Sequence, residues 1–122
     1  MTTVERGRRG EDLAAAALAA SGYALVERNW RCPAGEIDIV ARENDTWVFA
    51  EVKLRQGEAF GSPEDAVTSV KQDRLLQSAR IYVSEHELGD VFWRIDVVAI
   101  DLAPSGRVER LSIYRDAVRA DG

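Results

Sequence analysis

The stretch "GEIDIVARENDTWVFAEVKLR", residues 35–55, decides the fold because apolar and polar side chains alternate on both sides of a turn. Alternation with a period of two is typical of strands that turn one face toward a core. A turn centred between Asn44 and Asp45 would join the two runs as an antiparallel hairpin. In that register the numbers of facing residues sum to 89. Asp38 is therefore predicted to oppose Glu51.

The same register places Glu36 opposite Lys53, beside the two acids. Directly opposed residues have Cβ atoms roughly 5 Å apart, and two carboxylates at that distance repel by about 3 kcal/mol at an effective dielectric of about 20. Neutralisation by Lys53, protonation of one carboxyl group or a bound divalent cation would each compensate, and a plain ladder of surface ion pairs is the structural alternative. The apolar residues between the acids are predicted to point together into the core: Ile37, Ile39, Ala50 and Val52.

The residues before the hairpin predict one helix and one strand. Apolar residues recur near helical spacing over residues 4–21 and end at Gly22, a residue type that favours a helix C-terminus. Strand-forming residues dominate residues 23–31, and Pro33 and Gly35 end that run.

The residues after the hairpin predict a second helix and two more strands. Ser62 is a favoured N-cap and Pro63 a favoured first helical residue. An apolar stripe then continues to about residue 87, and Gly89 is placed to cap the helix. The two further strands are predicted at residues 91–102 and near 107–114.

The predicted order of elements is αβββαββ, in a single domain that spans residues 1–122. A strand, a helix and a second strand in one sheet are usually joined by a parallel crossover. The third and fourth strands should then be parallel neighbours, while the hairpin is antiparallel. We therefore expect an α/β fold with a mixed central sheet of about five strands and a helix packed on each face.

Composition and charge narrow the classes of function. The net charge of −5 argues against a generic binder of polyanions, and the acidity is concentrated in residues 36–90, which hold twelve acidic and six basic residues. The single Cys32 forms no internal disulfide and excludes a cysteine-based zinc site. With no apolar run long enough to span a bilayer and no signal-peptide pattern, the sequence predicts a cytoplasmic protein without a membrane partner.

Asp38 on one strand and "EVK" at residues 51–53 on the next resemble the PD-(D/E)xK signature of the restriction-endonuclease-like nucleases. Five ordered segments over residues 6–102 also resemble the YraN family of small uncharacterised bacterial proteins, which is similar to archaeal Holliday junction resolvases. These segments are "RGRRGEDLAA", "NWRCPAGEIDIVA", "VFAEVKLR", "FGSPEDAV" and "RIDVVAI".

The resemblance implies a restriction-endonuclease-like core and a role for each matching residue. Asp38 and Glu51 match the metal-binding acids, and Glu11 matches an acid on the first helix that completes such sites. Lys53 matches the lysine that orients or activates the attacking water. Together these four are the expected catalytic residues, with magnesium or manganese as cofactor. Ile37 stands where the signature usually has a proline.

The function implied is a metal-dependent endonuclease that hydrolyses phosphodiester bonds in branched DNA, in repair or recombination. Twofold pairing of two copies would suit a resolvase-like enzyme that cuts two strands. The alternatives are a non-catalytic nucleic-acid-binding module on the nuclease fold and a protein-interaction domain. The candidates for contact with nucleic-acid phosphates are Arg8, Arg9, Arg28, Arg31, Arg55, Lys71 and Arg74.

Four further residues carry expectations of their own. Gly10 either lets another segment approach closely or is a simple helix-entry residue. His86, the only histidine, is assigned no catalytic role. Asp96 is predicted to be a buried acid paired with an arginine. Trp47 is expected to pack in the core, with base stacking as the alternative.

Overall fold

The computed structural model describes residues 2–56 and 67–119. Two helices and five strands follow one another along these residues, and their order, αβββαββ, confirms the prediction. Their bounds are α1 Thr3–Ala20, β1 Ala24–Cys32, β2 Gly35–Glu43, β3 Thr46–Gln56, α2 Ser69–Glu85, β4 Phe92–Leu102 and β5 Val108–Val118.

The five strands form one mixed sheet in the order β1-β2-β3-β4-β5. Strands β3 and β4 are parallel and all other neighbours are antiparallel, as predicted. The hairpin turns at Asn44, which takes the left-handed conformation with φ 55°. Its ladder runs from Glu43 paired with Thr46 to Ile39 paired with Ala50, which confirms the predicted register.

Within residues 2–56 and 67–119, one helix covers each face of the sheet, so the predicted layers are confirmed. On one face, Ala14 and Leu18 of α1 pack in a buried cluster with Ile39 and other strand residues. On the opposite face, Leu75 and Tyr82 of α2 pack in a second cluster, with Phe49 and other strand residues. Burial of these apolar surfaces is the main stabilising contribution to the fold.

The prediction that Ile37, Ile39, Ala50 and Val52 share one face is wrong for Ile37. Ile39 and Ala50 pack in the α1 cluster and Val52 packs against it, whereas Ile37 packs in the α2 cluster. Alternation along β2 is therefore interrupted at Asp38. The partner strand is interrupted at the same level, because Asn29, between the residues that pair with Ile37 and Ile39, has φ 56°.

The helix ends follow the predictions only in part. Gly22 follows α1 with φ 96°, as expected of a residue at a helix C-terminus. The predicted start at Ser62 and Pro63 lies outside the described residues, and within them α2 begins after Thr68, whose side chain accepts a hydrogen bond from Lys71 N. The predicted cap at Gly89 is wrong because α2 ends at Glu85.

Strand β5 ends at Val118, four residues beyond the predicted end at residue 114. Among the described residues, no helix combines the length and the apolar character needed to cross a membrane.

Candidate metal centre

Three carboxylates meet where α1 passes the beginning of β2. Glu11 comes from α1, and Glu36 and Asp38 come from β2. Each offers one oxygen, and these oxygens all lie within 4.8 Å of one another. All three side chains are half-buried, so the repulsion between their charges is poorly screened by water. Such a group requires protons, basic partners or a cation.

Gly10 explains how α1 comes close enough to deliver Glu11. A Cβ atom at Gly10 would lie 2.2 Å from Leu54 Cδ1, closer than any van der Waals contact allows. A larger residue at this position would displace the end of the Leu54 side chain. Of the two interpretations of Gly10, the structure favours close approach, with a side chain of β3 rather than main chain as the neighbour.

The hairpin ladder stops one pair short of Asp38 and Glu51. Beyond the pair of Ile39 and Ala50, the Asp38 carboxylate accepts a hydrogen bond of 2.8 Å from Val52 N. Asp38 thus lies between β2 and β3 and is held by the main chain of β3. The predicted proximity of the two acidic positions follows from the register, although the strands do not form a regular pair there.

Glu51 is buried on the face of the sheet that α2 covers. The residue is 7% exposed, and Oε2 is buried without a hydrogen-bond partner among the described residues. Lys71 Nζ, in the first turn of α2, lies 3.6 Å from the other oxygen, Oε1. Lys53 is exposed and has the weaker electrostatic effect on Glu51. The neutralising role expected of Lys53 is therefore played mainly by Lys71.

Burial and mutual repulsion raise the pKa of both central acids. Burial raises the pKa of Asp38 to about 6, and the charges of Glu11 and Glu36 add to this rise. The hydrogen bond from Val52 N lowers the pKa and offsets part of the rise. Burial also raises the pKa of Glu51 to about 7, and the charge of Asp38 raises it further. Both carboxyl groups thus hold a proton more tightly than ordinary carboxyl groups do.

Two arginines at the rim compensate the cluster incompletely. Arg28 NH2 lies 3.5 Å from Glu11 Oε1, but that oxygen is buried and has no hydrogen bond among the described residues. Arg28 donates its short bond, 2.8 Å, to Asp12. Arg31 Nε lies 3.4 Å from Glu36, and the Arg31 side chain is 78% exposed. The charge on the cluster therefore remains largely unbalanced.

A hard divalent cation fits this set of donors. Magnesium and manganese prefer carboxylate oxygens, and magnesium usually takes one or two of them and keeps water in its other positions. The structure brings Glu11 and Asp38 together as predicted and adds Glu36, while Glu51 lies outside the group of three. Strand alternation, which puts Glu36 on the side of Asp38, was the sequence signal that could have identified it.

The candidates for phosphate contact are spread over the surface. Arg8, Arg9 and Arg74 are exposed, whereas Arg55 is held in an ion pair with Asp101. The Arg55 side chain is only 10% exposed, which favours a structural role for this residue. Trp47 packs against the α2 cluster, in agreement with the core interpretation.

Most of the chain is similar to the proteins of one known family. Residues 10–100 match the sequence profile of a family described as "Uncharacterised protein family UPF0102". A UPF0102 protein of Moorella thermoacetica is 44% identical over 117 residues, which cover 96% of this chain and 98% of the relative. A UPF0102 protein of an Arthrobacter species is 50% identical over 107 residues, covering 86% of this chain and 91% of that protein.

Proposed function

This chain belongs to the UPF0102 family, and from the geometry of its carboxylate cluster we propose that it is a divalent-metal-dependent endonuclease. The observation that carries the proposal is the set of Glu11, Glu36 and Asp38 oxygens within 4.8 Å of one another. The buried, unpartnered oxygen of the neighbouring Glu51 supports it. Buried carboxylate oxygens normally have partners, so this cluster is arranged for a ligand rather than for stability.

Glu11, Glu36 and Asp38 offer the oxygens that lie together and would hold the metal ion. Glu51, whose pKa the charge of Asp38 raises, would be the further acid that the resemblance implies. When bound, a divalent cation polarises a phosphodiester oxygen and lowers the pKa of the attacking water. The hydrogen bond from Val52 N fixes the Asp38 carboxylate in advance, and such preorganisation makes electrostatic catalysis efficient.

Two lysines would stabilise the charge that builds on phosphorus. Lys53, on the strand that carries Glu51, is exposed and free to reach a bound phosphodiester. Lys71 is 43% exposed while it neutralises Glu51, so it would be released toward phosphate when a cation takes over that role. Hydrogen bonds from ammonium groups to a developing oxyanion are worth most in such partly buried sites.

The preference for branched DNA rests on the resemblance of the ordered sequence segments to the Holliday junction resolvases. Exposed arginines near the cluster, among them Arg8, Arg9 and Arg31, offer phosphate contacts that an overall charge of −5 would otherwise oppose. A role in repair or recombination and the pairing of two copies remain predictions.

Cleavage of a labelled four-way or flapped DNA in magnesium or manganese tests the proposal. The wild type should cut, and Glu51→Ala and Lys53→Ala should each lower the rate by about 100-fold or more, because each removes charge stabilisation at the reacting group. Glu11→Gln and Asp12→Asn form a matched pair, since both residues contact Arg28. Only Glu11→Gln should lower the rate.

The same assay separates the alternatives. Metal-independent binding of the DNA without any cleavage would establish a binding module and overturn the nuclease. Absence of any binding to nucleic acid would favour a protein-interaction domain.

A further inference from the structure

A groove opens on the α1 face of the sheet, beside the candidate metal centre. Its volume is about 280 Å³. It is bounded by the first half of α1, the final residues of β3 and β4 and the loop between β4 and β5. Its lining includes Arg6, Arg9, Leu13, Leu54, Ile100 and Leu102.

The chemistry of this groove is apolar at the floor and basic at the edge. Leu13 and Leu54 provide an apolar surface and pack against the α1 cluster, and the buried Ile100 of that cluster lies beneath them. Arg6 and Arg9 are the charged residues in the lining, and no acidic residue contributes to it within the described part of the chain. Residues three apart lie on one side of a helix, so the two guanidinium groups flank the same opening.

The wall opposite the helix is held in place by hydrogen bonds. Gln56 Nε2 donates to the carbonyl oxygens of Ala103 at 2.9 Å and Pro104 at 3.1 Å, which fastens the loop to the end of β3. Ala103 N donates to Arg107 O and Gly106 N donates to Ala103 O, both at 2.8 Å, which closes the turn. The groove is therefore preformed, as is usual for small-ligand sites.

The groove and the metal centre share two structural elements. Gly10 lines the groove and Glu11 follows it on α1. Leu54 lines the groove three residues after Glu51 on β3, a separation of about 10 Å at roughly 3.3 Å per residue. A single nucleic-acid strand whose phosphate lies at the metal centre could place a neighbouring nucleotide in the groove.

We propose that this groove binds the unpaired base of a nucleotide that flanks the cleaved phosphate, with Arg6 and Arg9 binding the adjoining phosphates. The volume is near the lower end of small-ligand pockets, about 300 Å³, which suits one base and its sugar. Extruded bases can be held against aromatic or apolar side chains, and arginine adds an attraction to the π face of a base. The inference rests on the proposed function, and it specifies that the substrate has unpaired nucleotides beside the cut.

The first test measures binding of a fluorescein-labelled eight-nucleotide single strand in EDTA, without metal or cleavage. Arg9→Glu and Arg80→Glu make the same change of charge at exposed positions, but only Arg9 lines the groove, whereas Arg80 lies on α2. Arg9→Glu should weaken binding by about tenfold, whereas Arg80→Glu should weaken it by less than about threefold. Equal losses would mean that bulk charge alone attracts the strand, and would overturn the proposal.

The second test asks whether the base itself is bound. Thymidine 5′-monophosphate should shift the methyl NMR signals of Leu13, Leu54 and Ile100, and deoxyribose 5-phosphate should shift them much less. Identical shifts from both compounds would overturn the base site. Because both tests omit metal and cleavage, their failure would leave the nuclease proposal standing, and an inactive metal centre would leave the two tests interpretable.

Discussion

Acidic side chains are buried in two regions of the protein, and their pKa values shift in opposite directions there. Asp101, on β4, is fully buried and its carboxylate is paired with Arg55 at 2.7 Å and with Arg110 at 2.9 Å. Burial alone would raise the pKa of Asp101, but the hydrogen bonds from both arginines outweigh it and lower the pKa. In the acidic cluster and at Glu51 on the neighbouring strand β3, burial prevails and the pKa values of Asp38 and Glu51 rise.

Asp96 belongs with Asp101 rather than with the cluster. It is fully buried, and it accepts hydrogen bonds from Tyr23 Oη at 2.7 Å, Arg94 Nε at 2.9 Å and Asp116 N at 2.9 Å. The predicted pairing of this acid with an arginine is confirmed. Each of its oxygens has a partner within the chain, so nothing further is needed to hold the charge.

The contrast separates acids whose charge is paired within the fold from acids whose charge is paired only in part. A buried charge is tolerated where donors surround it, and it is costly where they do not. Donors surround Asp96 and Asp101, so their buried charges are tolerated. One oxygen of Glu51 has no hydrogen-bond partner among the described residues and the pKa of Glu51 is raised, so its buried charge is costly. Buried groups with perturbed pKa values cluster at functional sites.

The largest effect is expected from Asp101→Ala, which would leave Arg55 buried without its carboxylate. Breaking a buried ion pair by removing one partner costs about 3–5 kcal/mol. The free energy of unfolding, measured with urea, should fall by that amount. Asp12→Ala removes an exposed pair with Arg28 and should cost less than about 1 kcal/mol. Similar losses in the two variants would break the comparison.

A smaller and opposite effect is expected from Glu51→Gln without metal. The pKa of Glu51 is about 7 in the folded protein, above the ordinary value of 4.5, so the folded state retains a proton that the unfolded state loses between these pH values. The wild type should therefore lose stability as the pH rises from about 4.5 to 7, by an amount on the order of 3 kcal/mol. Glu51→Gln should remove the part of the loss that Glu51 causes and leave the part that the raised pKa of Asp38 causes.

Urea unfolding in EDTA at pH values from 4 to 8 measures this loss of stability. The exposed Glu109→Gln variant is the control, and its free energy of unfolding should change with pH as that of the wild type does. Parallel curves for Glu51→Gln and the wild type would show that the Glu51 carboxyl group is not destabilised by burial.

The third effect is the stabilisation that manganese should give to the acidic cluster. A ligand that binds only the folded state at 100 times its dissociation constant stabilises by about 2.7 kcal/mol. Calorimetric titration with Mn²⁺ should show one binding event, and thermal unfolding should shift upward accordingly. Asp38→Asn should weaken both signals strongly, and Asp12→Asn should leave them unchanged. Undiminished binding to Asp38→Asn would remove this residue from the site.

Much of the fold could be predicted because it depends on local patterns. The hairpin register follows from the turn at Asn44 and Asp45 and from alternation on both sides of it, and the parallel pairing of β3 with β4 follows from the crossover between them. The separation of Ile37 from Ile39 could not be predicted. It depends on the left-handed conformation of Asn29 in β1, opposite Asp38. The sequence of β2 alone does not indicate this long-range feature.

The candidate site could also be predicted only in part from the sequence. Asp38 and Glu51 lie on paired strands, so the register brings them close. Glu11 was found only through the resemblance, because its position depends on the contact between Gly10 and Leu54. The proximity of Lys71 to Glu51 depends on how α2 packs on the sheet, and spacing along the sequence does not indicate it.

The change of face at Asp38 ties the arrangement of the carboxylates to both halves of the core. Ile37 is anchored in the core under α2 and Ile39 in the core under α1, so the acid between them is held from both sides of the sheet. The spacing of the carboxylates is therefore set by the packing of both helices at once, and a substitution that loosens either anchor should disturb it.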